Sequence, residues 1–195
     1  MKYILSLFYL IFCLIMPDLT AHAEEIHLPD PDKTGGIPLM QALSKRHATR
    51  DFSDREISET TLSNLLWASW GVNRPNKRRV SPTAQNVQNV RLYVVLPSGI
   101  WLYQADKHIL VKALKGDYRE KFANAPVSFF YVAPADNYSG MHVGAIFQNA
   151  GLFAASEGLG NIVRSQKITD ILDGLNLPNG YKMYITQSFG WLKDN

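Results

Sequence analysis

A chain of 195 residues, 46% hydrophobic and 19% charged, describes one globular domain with a substantial core and excludes a disordered chain. The formal net charge of +3 is mild. The sequence also has no long run of lysine and arginine, so the chain lacks the basic surface of a nucleic-acid-binding protein. The small positive charge slightly favours a small anionic ligand. The single cysteine, Cys13, lies inside an N-terminal leader, so the mature chain would have no disulfide, thiolate metal site or cysteine nucleophile.

The first 23 residues have the pattern of a secretory signal peptide. Lys2 provides a short basic start, Tyr3 to Met16 is almost wholly apolar, and Ala21-His22-Ala23 is an A-x-A cleavage site. The apolar stretch is short for a membrane span, and an uncleaved N-terminal anchor is the alternative. We therefore expect an exported, periplasmic protein that has left the membrane after cleavage, with a single mature domain over residues 24–195.

Hydrophobic periodicity and turn residues predict the elements in chain order. The first half has an extended lead-in over residues 24–36, a helix from Ile37 to Lys45, a helix from Glu59 to Trp70 capped by Ser58, a basic loop from Val72 to Arg79, a strand from Arg91 to Leu96 and its hairpin partner from Ile100 to Tyr103. The second half has a helix from His108 to Leu114, a buried strand from Val127 to Val132, a long helix from Met141 to Glu157, a turn over 158–161, an extended piece from Ile162 to Arg164, a helix from Lys167 to Leu175 and a strand from Tyr181 to Phe189. This irregular alternation predicts an α+β layered domain.

The stretch Arg46-His47-Ala48-Thr49-Arg50 places three cationic or potentially cationic side chains at the end of the first helix. Arginine presents a planar fork of donors that suits phosphate oxygens, and closely spaced basic groups can converge on one dianion. The stretch is therefore a candidate phosphate site. The alternative is a solvated basic helix end that complements the helix dipole.

Two later loops are rich in small and polar residues. Pro82 to Asn86 offers backbone amides, a hydroxyl and an amide side chain, although it could be an ordinary loop. Gly158 to Ser165 offers bare backbone that could lie against a planar ring, although Gly158 could simply end a helix. The sequence has no G-x-S-x-G or H-E-x-x-H motif and its histidines are scattered, so we expect no metal site and interpret His142 as a surface or capping residue.

In this order the motifs resemble those of the nitroreductase family. The stretch from Arg46 to Arg50 resembles its FMN-phosphate motif, Ser81 to Asn86 resembles its flavin loop, and Gln148 to Gly160 resembles its central helix and the exit from that helix. Leu65 to Asn73, and Gly99 to Leu110, look like the segments found in the SagB/ThcOx-type dehydrogenase branch. The similarity runs from about residue 28 to residue 191, nearly the whole mature chain.

The resemblance implies a three-layer α+β sandwich, with a central mostly antiparallel sheet flanked by helices. It also implies an intertwined homodimer with the long helix at its core and FMN sites at the subunit interface. One subunit would meet the phosphate with Arg46, His47, Ala48 and Arg50, and the other would meet the ring and ribityl chain with Pro82, Thr83, Ala84 and Asn86. The backbone of Arg164 and Ser165 would lie near flavin N5. Lys193 would substitute for the basic residues that many members place near the phosphate after the last strand.

The implied activity is an FMN-dependent oxidoreductase reaction. Hydride would pass by a ping-pong cycle through flavin N5, to or from a small organic substrate such as a nitro-aromatic, a quinone or a heterocycle, with no catalytic acid or base from the protein. NAD(P)H is one candidate donor, but export would separate the enzyme from that cytosolic donor. Ala48, where family members often have a serine, motivates an alternative: an exported flavin- or ligand-binding module without turnover. A flavin-free interaction protein on the same scaffold is a further alternative.

Overall fold

The computed structural model describes residues 23–193, so the predicted signal peptide, apart from Ala23, lies outside the described residues. The elements are, in chain order, β1 Glu25–His27, α1 Leu39–Lys45, α2 Glu59–Trp70, β2 Arg91–Leu96, β3 Gly99–Gln104, β4 Ile109–Lys115, β5 Val127–Pro134, α3 Ser139–Glu157, β6 Leu159–Arg164, α4 Thr169–Gly174 and β7 Tyr181–Trp191. Short 3-10 turns cover Ala84–Asn86 and Arg119–Phe122. No helix within this range is both long and apolar enough to span a bilayer.

The strands form one seven-stranded sheet in the order β1-β4-β3-β2-β5-β7-β6. Every neighbouring pair in this sheet is antiparallel. The predicted α+β class with an antiparallel central sheet is therefore confirmed. The two C-terminal strands lie together at one end of the sheet, which matters because the basic stretch after α1 runs against them.

Side chains that alternate along β2 supply two separate cores, one on each face of the sheet. Leu92 and Val94 belong to the core shared with α2 and α3, whereas Tyr93 and Val95 belong to the core shared with Phe122 and α4. Successive residues of a strand point to opposite faces, so a strand that is apolar at every position must be covered on both. The domain is accordingly a sandwich of three layers.

Helix α2 has the bounds that its sequence predicts, and α3 ends at the predicted residue but begins at Ser139, before the predicted Met141. Ser58 caps α2, because its Oγ accepts a hydrogen bond of 3.2 Å from the Thr61 amide, and α2 ends at Trp70, before Gly71. Helix α3 ends at Gly158, whose φ of +77° is a left-handed conformation that glycine adopts without a steric penalty. The predicted spacing is also confirmed, since Val143, Ile146, Ala150 and Ala154 are all buried.

The helix predicted over His108 to Leu114 is wrong, because Ile109–Lys115 forms strand β4. The apolar run is only seven residues long, and over that length a helical period cannot be distinguished from a buried strand. Pairing decides the conformation: β4 hydrogen-bonds to β3 on one side and to β1 on the other. The predicted lead-in contains β1, which the sequence analysis missed.

The predicted turn over residues 158–161 is also largely wrong. Only Gly158 serves as the turn, and β6 begins at Leu159, which pairs with Trp191 of β7. The consequence for the candidate site is direct, because Gly160 and Asn161 become strand residues that lie beneath the basic stretch.

Candidate functional site

The basic segment, residues 46–52, lies along the ends of β6 and β7. The Thr49 amide donates a hydrogen bond of 2.9 Å to the Asn161 carbonyl, and Ala48 forms a parallel bridge with Asn161. Further along, Phe52 forms an antiparallel bridge with Leu192. These contacts fix the backbone of the segment, so its side chains project from a defined position and not from a mobile loop.

Two glycines form the surface on which the basic segment rests. Gly160 of β6 and Gly190 of β7 are direct cross-strand partners. A Cβ atom on Gly160 would lie 2.9 Å from Thr49 Cβ, and one on Gly190 would lie 2.6 Å from Phe52 Cβ, both below the separation that real Cβ contacts show. The segment therefore sits directly on bare backbone. We define Gly160 and Gly190 as the glycine floor.

The basic side chains of the segment do not share one cavity, and Arg46 lines neither of the two cavities beside the segment. Arg46, His47 and Arg50 are all exposed. His47 lines a cavity of about 550 Å³ beside the end of α3, whereas Arg50 lines another of about 470 Å³ together with Lys193. His47 Nδ1 lies 2.8 Å from the Lys45 carbonyl, which can only accept, so Nδ1 carries a proton and Nε2 takes no part in this hydrogen bond. Lys193, predicted to lie near the phosphate, lines the same cavity as Arg50.

The flavin-loop candidate, residues 82–86, is held from behind by α2 and α3. The Ala84 amide donates to His142 Nε2 at 2.8 Å. Just before the loop, Ser81 Oγ donates to the Ser69 carbonyl at 2.7 Å and accepts from Asn149 Nδ2 at 2.9 Å. The interpretation of His142 as a surface residue is wrong: it is 3% exposed and buried beneath the loop that it anchors.

The outer part of this loop has an unusual backbone. Gln85 and Asn86 have φ values of +51° and +56°, a left-handed conformation that non-glycine residues seldom adopt. Both residues are exposed, and Thr83 and Ala84 are partly exposed. Strained backbone of this kind persists where the surrounding contacts determine it, and it concentrates at ligand-binding sites. Here the anchors at Ser81 and Ala84 supply those contacts.

The end of β6 presents donors that lack a partner. Arg164 is partly buried, yet its Nε and Nη2 atoms have no hydrogen-bond partner among residues 23–193. Buried polar atoms are almost always paired, so a ligand or an ordered water would complete the hydrogen bonding of this guanidinium. Ser165, the next residue, is exposed. Thr49 Oγ1, in the basic segment, is likewise buried without a partner in the described part of the chain.

Within one chain the two predicted halves of the site remain apart. The basic segment lines the two cavities of about 550 and 470 Å³, whereas Pro82, Thr83 and Asn86 line a separate cavity of about 400 Å³. The two halves therefore share no cavity within the single chain. Among residues 23–193, His, Cys, Asp and Glu side chains form no group of three or more placed to hold a metal ion.

A partly buried hydrogen-bonded network joins α2 to the β3–β4 hairpin. His108, in the turn before β4, contacts Ser63 Oγ of α2 through Nε2 at 2.7 Å and Tyr103 Oη through Nδ1 at 2.8 Å. Ser63 donates its own proton to the Pro29 carbonyl, so it accepts from Nε2–H and leaves Nδ1 to accept from the Tyr103 hydroxyl. Burial lowers the pKa of His108, which suits this neutral form, and burial raises the pKa of Tyr103.

The fold is an antiparallel seven-stranded sheet covered on both faces, with a basic segment on its C-terminal strands and an anchored polar loop. This arrangement is that of a nitroreductase-like α+β protein. The sequence model of the nitroreductase family matches residues 43–191. The chain therefore belongs to the nitroreductase family of oxidoreductases, and the family-level resemblance of the sequence is confirmed.

Individual relatives agree with this assignment. A protein of Methanocaldococcus jannaschii that is assigned as a nitroreductase is 27% identical over 165 residues, covering 71% of this chain and 82% of the relative. A crystal structure from Ralstonia eutropha, assigned likewise, superposes with a TM-score of 0.81 at 29% identity, covering 92% of this chain and 94% of that one. A chain of the E. coli microcin synthetase complex shares the fold, with a TM-score of 0.67 at 16% identity over 92% of this chain and 84% of its own.

Proposed function

We propose that this protein is an FMN-dependent oxidoreductase. The observation that carries the proposal is the basic segment, which rests on the glycine floor and presents Arg46, His47 and Arg50 to solvent from a fixed backbone. Exposed basic side chains that project from a fixed backbone over a small-residue surface suit the phosphate of a mononucleotide. Lys193 lies on the cavity of Arg50 and adds a further positive charge.

The remaining candidate residues fit the other parts of FMN. The unpartnered Nε and Nη2 donors of Arg164, at the end of β6, suit an acceptor-rich heterocycle such as the flavin ring. Pro82, Thr83, Ala84 and Asn86 lie on a loop whose strained backbone is held open by His142 and Ser81. When bound, FMN supplies hydride transfer at N5. The chain's own residues then bind and orient the cofactor and keep one of its faces open to substrate.

The proposed substrate is a small organic molecule, a nitro-aromatic, a quinone or a heterocycle, that gives hydride to the cofactor or takes hydride from it. The SagB/ThcOx-type branch is proposed from the resemblance of Leu65 to Asn73 and of Gly99 to Leu110. The hydrogen bonds of His108 to Ser63 and Tyr103 hold the second of these segments to α2. NAD(P)H is a cytosolic hydride donor, so an exported enzyme would be separated from it. The organic substrate itself is therefore the more suitable hydride donor.

Arg46→Ala is expected to weaken FMN binding by about 1.5–3 kcal/mol, roughly 10- to 150-fold in Kd, because a hydrogen-bonded charge on the phosphate is lost. Binding is followed by the quenching of FMN fluorescence on titration with the apoprotein of the mature domain. Lys115→Ala is the matched control, since Lys115 is exposed at the far end of β4. Equal affinities for wild type and Arg46→Ala would count against the phosphate assignment. A wild-type protein that retains no FMN would refute the cofactor itself.

A binding module without turnover is the second candidate function, and Ala48 is the observation that favours it. Alanine offers no hydroxyl to the phosphate, so one hydrogen bond worth about 0.5–1.5 kcal/mol would be missing. The two functions differ after reduction of the holoprotein with dithionite. Once excess dithionite has been removed under anaerobic conditions, one equivalent of added benzoquinone would reoxidise the reduced FMN of an oxidoreductase, whereas a binding module would keep its FMN reduced.

We further propose a homodimer, because the two halves of the site lie on separate cavities and α1 exposes apolar residues. Leu39, Met40 and Leu43 are 63%, 75% and 43% exposed in the single chain. Light scattering of the mature domain is expected to report twice the mass of one chain, and Met40→Glu is expected to shift the protein toward monomer and lower its FMN content. A wild-type protein that is monomeric yet binds FMN fully would contradict a shared site.

Export with cleavage after Ala23 is a separate proposal, supported by the apolar stretch and the Ala21-His22-Ala23 site. The intact mass of protein recovered from the periplasm tests it directly. A chain beginning at Glu24 supports cleavage, and a membrane-bound chain beginning at Met1 would instead support an uncleaved anchor.

A further inference from the structure

A second basic cluster lies next to the flavin-loop candidate. We define the arginine loop as residues 72–79, between α2 and Ser81. Three of its side chains, Arg74, Arg78 and Arg79, line the cavity of about 400 Å³ that Pro82, Thr83 and Asn86 also line. This cavity is separate from the two that the basic segment lines, so its cations are not the ones assigned to the FMN phosphate.

The arginine loop is folded on itself. Val72 and Arg79 form an antiparallel bridge, and the Asn73 amide donates to the Arg78 carbonyl at 3.1 Å. The loop tip is closed by the Lys77 amide, which donates to the Arg74 carbonyl at 3.0 Å, and Arg74 Nη2 donates to the Arg79 carbonyl at 3.0 Å. The guanidinium of Arg74 is therefore partly oriented before any ligand arrives, which lowers the entropic cost of binding one.

Charge compensation within the loop is uneven. Arg79 pairs with Asp106 at 2.8 Å and lies over the Trp70 ring at 5.4 Å, and Lys77 shares the same carboxylate at 3.8 Å. Arg74 and Arg78 are exposed, and neither has a carboxylate within ion-pair distance among the described residues 23–193. The cavity therefore holds two uncompensated arginine charges beside an exposed polar loop.

We propose that Arg74 and Arg78 bind a carboxylate on the substrate, so that the enzyme acts on small planar acids. This inference rests on the proposed function, in which the loop 82–86 borders the flavin ring and the substrate lies on the open face. Guanidinium groups pair with carboxylates through two parallel hydrogen bonds, which would orient the reacting ring as well as attract it. A cavity of about 400 Å³ suits a small aromatic acid and is small for a dinucleotide.

The test compares an acid with a neutral molecule of the same shape. Wild type, the double variant R74Q/R78Q and the control K115Q are prepared as FMN-loaded protein. Each is titrated with 4-nitrobenzoate and with 4-nitrobenzamide, with the shift in FMN absorbance as the readout. We expect wild type and K115Q to bind the acid roughly tenfold more tightly than the amide, or more, equivalent to about 1.4 kcal/mol, and to lose part of this preference at high salt.

R74Q/R78Q is expected to bind the acid and the amide alike, with amide affinity and FMN content unchanged. Its thermal midpoint should fall only slightly, because both side chains are exposed and the variant loses the hydrogen bond from Arg74 to the Arg79 carbonyl. A wild-type protein that does not prefer the acid overturns the inference, and so does a double variant that keeps the preference. Wild type without FMN absorbance marks failure of the proposed function itself. The substrate inference would then fall with it, and the absent flavin spectrum distinguishes that outcome from the first two.

Discussion

Replacing Gly190 by alanine is expected to lift the basic segment from the sheet and to abolish most FMN binding. The new Cβ would lie 2.6 Å from Phe52 Cβ and 2.7 Å from Phe52 Cγ. Both contacts are close to the backbone of the segment, so neither can be relieved by moving the far end of a flexible side chain. Forcing extra atoms into packed structure typically costs about 1–3 kcal/mol, and here the strain is relieved by displacing residues that hold the phosphate.

Two measurements separate the effects of Gly190→Ala. Urea unfolding gives the loss of stability, and fluorescence titration gives the loss of FMN affinity. Gly140→Ala is the matched control, because its Cβ would meet only Tyr184 Cε1, at an ordinary 3.8 Å, in the first turn of α3. If Gly190→Ala bound FMN as tightly as wild type, the basic segment could not be the phosphate site.

Most of the fold could be predicted from local patterns. Helix α2 was predicted over its whole observed length, because Ser58, the apolar spacing and Gly71 all indicate the same boundaries. Strand β2 was likewise predicted residue for residue, since Pro97 and the following residues mark a turn. Strand β4 failed because its seven apolar and basic residues fit a helix equally well, and only pairing with β1 and β3 decides between the two.

The candidate site was less accessible to local reasoning. The basic segment and the loop at Pro82 could be identified from residue types. The long-range contacts that fix their positions could not. His142 accepts a hydrogen bond from the Ala84 amide, 58 residues away in the sequence, and no local sequence pattern at either residue predicts this contact. Gly190 carried no such signal, because the predicted last strand ended at Phe189, one residue before it, whereas the observed strand continues to Trp191. The partner, Phe52, lies too far away in the sequence for a local pattern to indicate it.

Gln187→Met is expected to destabilise the fold by about 3 kcal/mol or more and to weaken FMN binding as well. Gln187 is fully buried in β7, and its Nε2 donates to the Phe147 carbonyl and to Asn161 Oδ1, each at 3.1 Å. Its Oε1 accepts from the Tyr131 hydroxyl at 2.7 Å. Methionine has a similar volume but would leave these polar groups unpaired, at about 1–3 kcal/mol each. A domain of this size has a total stability of about 5–15 kcal/mol, so the loss is a large fraction.

The double variant with Tyr131→Phe tests this explanation. Tyr131→Phe removes the hydroxyl that Gln187→Met leaves unpaired, so the two losses in urea-unfolding free energy should sum to more than the loss of the double variant. Gln148→Met is the control, since Gln148 is exposed on α3 and its replacement should change stability by about 0.5 kcal/mol or less. Strict additivity would show that packing, and not hydrogen bonding, dominates at Gln187.

The same network explains why a core residue should affect the cofactor. Gln187 holds the Asn161 side chain, and the Asn161 carbonyl accepts the Thr49 amide in the middle of the basic segment. A shift of Asn161 would therefore move the backbone between Arg46 and Arg50 without touching either cation. FMN titration of Gln187→Met at a temperature where it remains folded isolates this effect. An unchanged FMN affinity there would show that the basic segment is positioned by the glycine floor and its own backbone contacts, independently of the buried network.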